Sequence, residues 1–182
     1  MGKVVIFEGQ DNCFKTTQTK MLLTHFANNL EPTHMIHYSN ISNITNKISE
    51  KYSIKLYNNM FFLINSINNI NCNIIFDRSH IGEAVYSPLY RNYNGNFIFN
   101  IEKNFINYNW WNNIYLFLLE DNLYDIIKRE DGNSFATDLI NKKQEKTLFN
   151  KAFNKSYIKN KFIINVNNKD RKLIHKEIVS KL

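Results

Sequence analysis

Near its beginning the chain carries the stretch VVIFEGQDNCFKTTQTK, residues 4–20, in which an apolar run leads through a glycine into a polar, helix-like segment. Gly9 is followed by Lys15 and Thr16 at the spacing of the pattern G-x-x-x-x-G-K-[ST], which binds phosphate. Every fixed position matches except the second glycine, where Phe14 stands. The stretch predicts a strand, a loop whose N–H groups converge on a phosphate, and a helix whose positive end faces the anion.

Phe14 leaves three interpretations of this stretch open. It is a chance strand–turn–helix, a loop that folds but binds nucleotide poorly, or a working loop with a tolerated substitution. A positive φ at Phe14 would cost about 1–3 kcal/mol, whereas a negative φ would only require the ring to point away from the phosphate. We favour the working loop, in which Lys15 reaches the β and γ phosphates and the Thr16 hydroxyl faces Mg²⁺.

The rest of the chain alternates apolar runs with segments of helical spacing. Short runs rich in β-branched or aromatic residues predict strands at 3–8, 33–38, 72–77, 113–119 and 161–166. Apolar residues at helical spacing predict helices at 15–29, 43–70, 137–158 and 170–182. This alternation predicts an α/β fold with a parallel sheet of about five strands and helices on both faces, and the phosphate-binding pattern at residues 9–16 makes a P-loop NTPase type the expected one. Ligands of such sheets bind outside the carboxyl ends of the strands.

The composition narrows the classes of protein. The longest apolar runs fall well short of the ~20 residues that cross a bilayer, so we expect no membrane span. The net charge of +7 lies mostly in the last third, interleaved with Asn and apolar residues, which favours a solvated helix face over a nucleic-acid-binding arm. Two isolated cysteines, Cys13 and Cys72, are too few for a disulfide framework or a zinc site. We therefore expect a cytoplasmic protein without a membrane or nucleic-acid partner.

A second motif follows the third predicted strand, in the stretch NIIFDRSHIGEAVYSPLYR, residues 73–91. Asp77 stands at the carboxyl end of an apolar run, where a carboxylate can hold Mg²⁺ through water, opposite Thr16. Arg78 follows, and its guanidinium fork can bind phosphate oxygens. An Asp–Arg pair after a strand is otherwise an ordinary surface ion pair, but its combination with residues 9–17 favours a phosphate site.

The stretches FEGQDNCFKTTQ and DRSHIGEAVY together resemble the thymidylate kinase group of nucleoside monophosphate kinases. That group has the pattern F/I-E-G-x-D-G-x-G-K-[ST]-T-Q and later D-R-[YFH]-x-x-S-x-x-A-[YF]. The variant HIGEAVYSPLYR is similar to virus- or phage-encoded members, with Gly82 in place of the usual Ser. The resemblance implies a single kinase domain over residues 1–182, ATP as phosphoryl donor with Mg²⁺, small-molecule nucleotides as partners, and a homodimer.

The resemblance also implies roles for individual residues. Asp11 matches the loop carboxylate that faces the acceptor sugar and phosphate, and Glu83 falls where a polar residue approaches pyrimidine N3. Tyr86 falls where an aromatic residue lies beside the sugar and disfavours a 2′-hydroxyl. The segment around 121–142 resembles a mobile lid. Its cations would be Lys128 and Arg129, unless these two only stabilise a helix C-terminus.

The sequence departs from the group where the acceptor binds. No Arg follows the second strand, where the chain reads His37-Tyr38-Ser39-Asn40, so Tyr38, Ser39 or Arg91 would have to hold the acceptor phosphate. Tyr57 and Phe61 are candidates for stacking on the base because they share a helix face, although aromatic residues at that spacing are also typical of plain core. The predicted catalytic residues are Lys15, Asp77, Arg78 and Arg129, with Thr16 and Asp77 facing the metal. The predicted ATP-binding residues are Gly9, Asn12, Cys13, Phe14, Lys15, Thr16, Thr17 and Arg129. The predicted acceptor-binding residues are Asp11, Tyr38, Tyr57, Phe61, Arg78, Glu83, Tyr86 and Arg91.

The nature of the acceptor follows from what must lose a proton. A 5′-hydroxyl needs a general base, whereas a phosphate monoester is mostly dianionic near neutrality and needs cations and alignment. The loop after the second strand holds no carboxylate before Glu50, which favours a monophosphate, with dTMP, dUMP or a modified pyrimidine as the expected acceptor. A deoxynucleoside kinase and a non-catalytic nucleotide-binding protein with a degenerate loop remain the alternatives.

Overall fold

The computed structural model describes residues 1–38, 46–68, 70–132 and 134–182. Its centre is a five-stranded sheet in the order β2-β3-β1-β4-β5, in which every neighbouring pair is parallel. The strands are β1 Val4–Glu8, β2 Thr33–His37, β3 Asn73–Asp77, β4 Ile114–Glu120 and β5 Asn160–Asn165. The predicted parallel sheet is therefore confirmed, and each strand begins and ends within one residue of its predicted bounds.

Seven α-helices connect the strands in the described residues. They are α1 Lys15–Asn28, α2 Asn46–Asn68, α3 Ile81–Tyr90, α4 Phe97–Lys103, α5 Leu123–Lys128, α6 Leu139–Lys155 and α7 Arg171–Val179. A 3₁₀ turn, Asn109–Asn113, precedes β4. The predictions located α1, α2, α6 and α7, with residues 43–45 and 69 of the predicted second helix lying outside the described residues. They missed α3, which contains Gly82 and Pro88, and the short helices α4 and α5.

Helices cover both faces of the sheet, and the alternation of side chains along each strand divides the interior into two cores. Val4 and Ile6 of β1 point to one core, which α2, α3, α4 and α6 close. Val5 and Phe7 point to the other, which α1, α5 and α7 close. The strands β1 and β3 are parallel and buried along their whole length. The loops that follow their carboxyl ends therefore lie at the same edge of the sheet. The loops at that edge form the candidate site.

The described residues contain neither a candidate membrane-spanning helix nor a cluster of candidate metal ligands. None of their helices is both long and apolar enough to cross a membrane. Nor do they bring three or more His, Cys, Asp or Glu side chains together as metal ligands.

Candidate active site

The loop between β1 and α1 has an unusual backbone. Gly9 has φ 132°, and the non-glycine residues Asn12 and Phe14 have φ 66° and 63°. Phe14 lies in the left-handed region, so the backbone strain of about 1–3 kcal/mol applies. The loop takes the conformation of a glycine-type turn although an aromatic residue occupies its last position.

The N-terminus of α1 is open to an anion. The helix begins after Phe14 with no side-chain cap, so its first N–H groups are left without the partner that a cap supplies. In contrast, side chains of Asn122, Asp138 and Asp170 cap α5, α6 and α7. Uncapped N–H groups and the positive end of a helix together favour phosphate binding at residues 14–17.

Lys15 is folded over its own loop. Its Nζ donates to the Gln10 carbonyl oxygen at 2.5 Å and lies 3.7 Å from Asp11 Oδ1. Burial lowers the pKa of the ammonium group, while the Asp11 carboxylate opposes that shift. A desolvated cation beside open backbone N–H groups is the arrangement that binds a polyanion.

Thr16 and Asp77 meet across the end of the sheet. The Thr16 hydroxyl donates to Asp77 Oδ2 at 2.6 Å, and His37 Nδ1 lies 3.0 Å from the same oxygen. Asp77 Oδ1 is buried and has no hydrogen-bond partner among the described residues. A hydroxyl and a carboxylate with a spare oxygen are hard oxygen ligands, so this pair fits a Mg²⁺ ion held directly or through water.

Arg78 connects the two motifs. It takes φ 70° directly after β3, and its Nη2 donates to Asp11 Oδ1 at 2.5 Å. This ion pair brings the Asp-Arg motif onto the loop, as the shared sheet edge predicts.

Two clefts meet at Arg78. The loop cleft, of about 240 Å³, is lined by Asn12, Phe14, Lys15, Thr16, Thr17, Arg78 and Arg129. The tyrosine cleft, of about 20 Å³, is lined by Glu8, Gly9, Tyr38, Tyr57, Arg78, Ser79, Gly82 and Tyr86. A larger groove of about 610 Å³ lies between α3, α4 and α6, with Pro88, Phe99 and Lys155 in its lining. We favour the two smaller clefts as the site because residues of the loop and Arg78 line both of them.

Besides Arg78, three tyrosines among the predicted acceptor-binding residues line the tyrosine cleft. Tyr38 is half-buried and stacks on Phe76 with ring centroids 5.7 Å apart. Tyr57 donates to Glu83 Oε2 at 3.4 Å. Tyr86 packs on Phe149 and its buried hydroxyl has no partner among the described residues. An unpartnered hydroxyl at a cleft is available to a polar ligand.

Glu83 and Arg91 form an ion pair. Arg91 Nη1 donates to Glu83 Oε2 at 2.6 Å, and Tyr93 donates to the other carboxylate oxygen. Neither charged residue lines the tyrosine cleft, and both lie beside Tyr57, whose hydroxyl donates to Glu83. Their contact with the base or the phosphate of an acceptor stays a prediction.

Phe61 lines neither cleft. It has no exposed surface and stacks on Phe105 at 5.1 Å, with Trp110 and Trp111 also close to its ring. This burial favours the plain-core alternative, and a contact of Phe61 with a base stays a prediction. Of these two aromatic residues, Tyr57 lines the tyrosine cleft and Phe61 does not.

The lid segment contributes Arg129 but not Lys128. Arg129 forms an ion pair with Asp121, and its guanidinium carbon lies 4.6 Å from the centroid of the Phe14 ring. Lys128 is exposed at the end of α5 and lines neither cleft, which matches the alternative role at a helix C-terminus. Asn12 contacts the lid through Glu130, with Nδ2 3.4 Å from Oε2.

Sequence reasoning missed Glu8, the last residue of β1. Its Oε1 accepts from Ser79 N at 2.8 Å and from Ser79 Oγ at 2.9 Å, and the residue lines the tyrosine cleft. Burial raises the pKa of the Glu8 carboxyl above its usual range, while the Ser79 hydrogen bonds oppose the shift. Its position at the carboxyl end of a central strand was the available signal.

Position 9 requires glycine for two reasons, the lack of space for a Cβ and the positive φ. A Cβ there would lie 2.3 Å from the Leu119 carbonyl oxygen, at φ 132°. We expect Gly9→Ala to lower the free energy of unfolding by about 3 kcal/mol. Gly132→Ala is the control, because φ is 81° there but no described atom lies within 4 Å, so about 1 kcal/mol is expected. Equal losses in urea denaturation would contradict the close approach of Gly9 to β4.

The two cysteines should differ in reactivity. The Cys13 side chain is 1% exposed and packs in the core. Burial raises the pKa of its thiol to about 11. Cys72 is partly exposed. We expect iodoacetamide at pH 8 to alkylate Cys72 at least about tenfold faster than Cys13, measured by mass spectrometry, with equal labelling in denaturant. Fast labelling of native Cys13 would mean that the loop opens.

No protein-family model matches the chain, and none of the curated proteins matches it in a sequence comparison. Solved structures do match over nearly the whole chain. A thymidylate kinase from Candida albicans is 16% identical with TM-score 0.67, covering 98% of this chain and 90% of that chain. A thymidylate kinase from Ehrlichia chaffeensis is 12% identical with TM-score 0.69, covering 98% and 97%. A deoxyadenosine kinase from M. mycoides with bound dCTP is 14% identical with TM-score 0.55, covering 98% and 97%.

The sheet, its helices and these likenesses define a fold of the P-loop kinase class. Within that class the chain has a thymidylate-kinase-like nucleoside monophosphate kinase fold. At these identities the likeness concerns the fold, and the chemistry has to be argued from the residues of this chain.

Proposed function

We propose that the protein transfers the terminal phosphoryl group of ATP to a deoxynucleoside monophosphate, with dTMP, dUMP or a modified pyrimidine as acceptor. The observation that carries the proposal is Arg78, which lines the loop cleft and the tyrosine cleft at once. A cation shared by two adjoining clefts can hold an acceptor phosphate in line with a donor γ phosphate. The loop cleft would hold the triphosphate and the tyrosine cleft the acceptor.

The proposed chemistry uses positioning and charge. An oxygen of the acceptor phosphate attacks the γ phosphorus, the bond from γ phosphorus to the bridging oxygen breaks, and ADP leaves. Lys15, Arg78 and Arg129 supply three cations along the loop cleft, where negative charge accumulates. Since the acceptor phosphate is already dianionic, no side chain has to remove a proton. The tyrosine cleft is too small for a nucleotide, so its side chains have to separate when an acceptor binds.

Thr16 and Asp77 would hold Mg²⁺ beside the loop cleft, as the spare Asp77 oxygen allows. The ion would neutralise charge on the β and γ phosphates.

The test is a transfer assay with ATP, Mg²⁺ and a panel of acceptors, comprising the four common deoxynucleoside monophosphates, dUMP, thymidine and deoxyadenosine. Products are separated by anion-exchange chromatography. The proposal predicts a diphosphate product from at least one pyrimidine monophosphate. If ADP formation is the same with and without every acceptor, the proposal is wrong.

A deoxynucleoside kinase is the second candidate, and Glu8 favours it. This carboxylate lines the tyrosine cleft, where a 5′-hydroxyl acceptor would need a general base, and burial raises the pKa of its carboxyl group. The M. mycoides deoxyadenosine kinase shows that this fold occurs with a nucleoside acceptor. Phosphorylation of thymidine but not dTMP, lost in Glu8→Gln, would select this candidate.

The third candidate is a nucleotide-binding protein whose loop has been inactivated by Phe14. Activity that appears only in Phe14→Gly would select it.

We further propose a single domain over 1–182, a homodimer and a cytoplasmic protein similar to virus- or phage-encoded kinases. Light scattering after size-exclusion chromatography tests the dimer.

A further inference from the structure

The Phe14 side chain is engaged by two arginines from distant parts of the chain. The guanidinium carbon of Arg129, at the end of α5, lies 4.6 Å from the ring centroid. That of Arg171, the first residue of α7, lies 5.5 Å from it. Both distances are within the range of cation–π attraction. The left-handed backbone of Phe14 thus directs the ring towards α5 and α7.

Both guanidinium groups lie against the Phe14 ring. A guanidinium group donates hydrogen bonds from its edge and can stack through its flat faces. Arg129 donates to Asp121 while its guanidinium carbon lies over the Phe14 ring. Arg171 is exposed, and its backbone is tied to α1, because Gln18 Nε2 donates to the Arg171 carbonyl oxygen at 3.0 Å. A planar ligand that stacks on either guanidinium group from the side of Phe14 competes with the Phe14 ring.

The adjoining space suits a polyphosphate better than a whole nucleotide. The loop cleft has about 240 Å³, below the roughly 300–1,000 Å³ of typical small-molecule sites. Three cations line it, and no carboxylate of the described residues does. A donor whose phosphates fill this cleft has to place its base beyond it, and Phe14 and Arg129 form part of the wall that the base would pass.

We propose that Phe14 occupies the arginine faces on which a donor base would stack, so that the protein selects its donor by the triphosphate and discriminates weakly among bases. This inference rests on the proposed function, since it takes the loop cleft as the donor site. It makes Phe14 a specificity-determining residue rather than a defect in the loop.

The experiment measures equilibrium binding of MgATP, MgGTP, MgCTP and magnesium tripolyphosphate to the protein and to Phe14→Gly, by calorimetry. Tripolyphosphate reports the loop alone, so the ratio of each nucleotide to it cancels any change in loop strain. We expect the four affinities to agree within about threefold in the parent. In Phe14→Gly we expect ATP and GTP to bind about tenfold tighter than tripolyphosphate, or about 1.4 kcal/mol.

Two further variants show whether the arginines cause the change. Phe14→Leu keeps an apolar side chain without a π face and should give an intermediate ratio. Arg171→Ala should leave the ratios of the parent unchanged but reduce the purine preference in the Phe14→Gly background. A parent that already prefers ATP tenfold over tripolyphosphate, or ratios that do not respond to Phe14→Gly, would overturn the inference while leaving the kinase proposal intact. If no phosphate ligand binds at all, both are wrong.

Discussion

Replacing Lys15 with alanine should reduce phosphoryl transfer by about 10²–10³-fold. The side chain is 5% exposed, and its ammonium group sits against the loop that would hold the β and γ phosphates. Removing one preorganised, desolvated donor from a transition state of developing charge costs on this order. The measurement is product formation at saturating acceptor with a coupled ADP assay.

Lys20→Ala is the matched control for this prediction. Lys20 is exposed on the same helix, so the variant should stay within about twofold of the parent. Thermal unfolding of both variants separates a loss of chemistry from a loss of fold. A Lys15→Ala protein that is folded and fully active would contradict the placement of the phosphates on residues 9–17.

Replacing Phe61 with alanine should lower the free energy of unfolding by about 3–5 kcal/mol. The ring is fully buried against Phe105, Trp110 and Trp111, so its removal leaves a cavity in the core. Urea denaturation followed by tryptophan fluorescence measures the change.

The neighbouring Phe62 gives the control. It is 56% exposed and meets only the edge of Phe105, so Phe62→Ala should cost about 1 kcal/mol or less. Equal losses for the two variants would contradict the core position of Phe61. A stable Phe61→Ala protein with a raised KM for the acceptor would restore the base-stacking role that the sequence suggested.

The sheet and the loop could be predicted because their signals are local. The runs 4–7 and 74–76 are continuous and apolar, which is typical of a strand covered on both faces. Once the strands are parallel, the residues after Glu8 and Asp77 must meet at one edge, and Thr16 and Asp77 do so at 2.6 Å.

The acceptor side could not be predicted as well, because its contacts depend on packing. Tyr57 and Phe61 share a helix face, yet Tyr57 lines the tyrosine cleft while Phe61 is fully buried in the core. The ion pair of Glu83 with Arg91 forms because α3 ends at Tyr90 and turns the arginine back. The contact of Phe14 with Arg171 joins distant parts of the chain and has no local sequence signal.

The central claim is that residues 9–17 bind a nucleoside triphosphate despite the aromatic residue at position 14. Calorimetric titration of a non-hydrolysable ATP analogue with Mg²⁺ into the protein, and into folded Lys15→Ala, tests it directly. The account predicts saturable binding at one site per chain, weakened at least about tenfold by the substitution. No heat of binding to the folded parent, or equal affinity in both proteins, would contradict it.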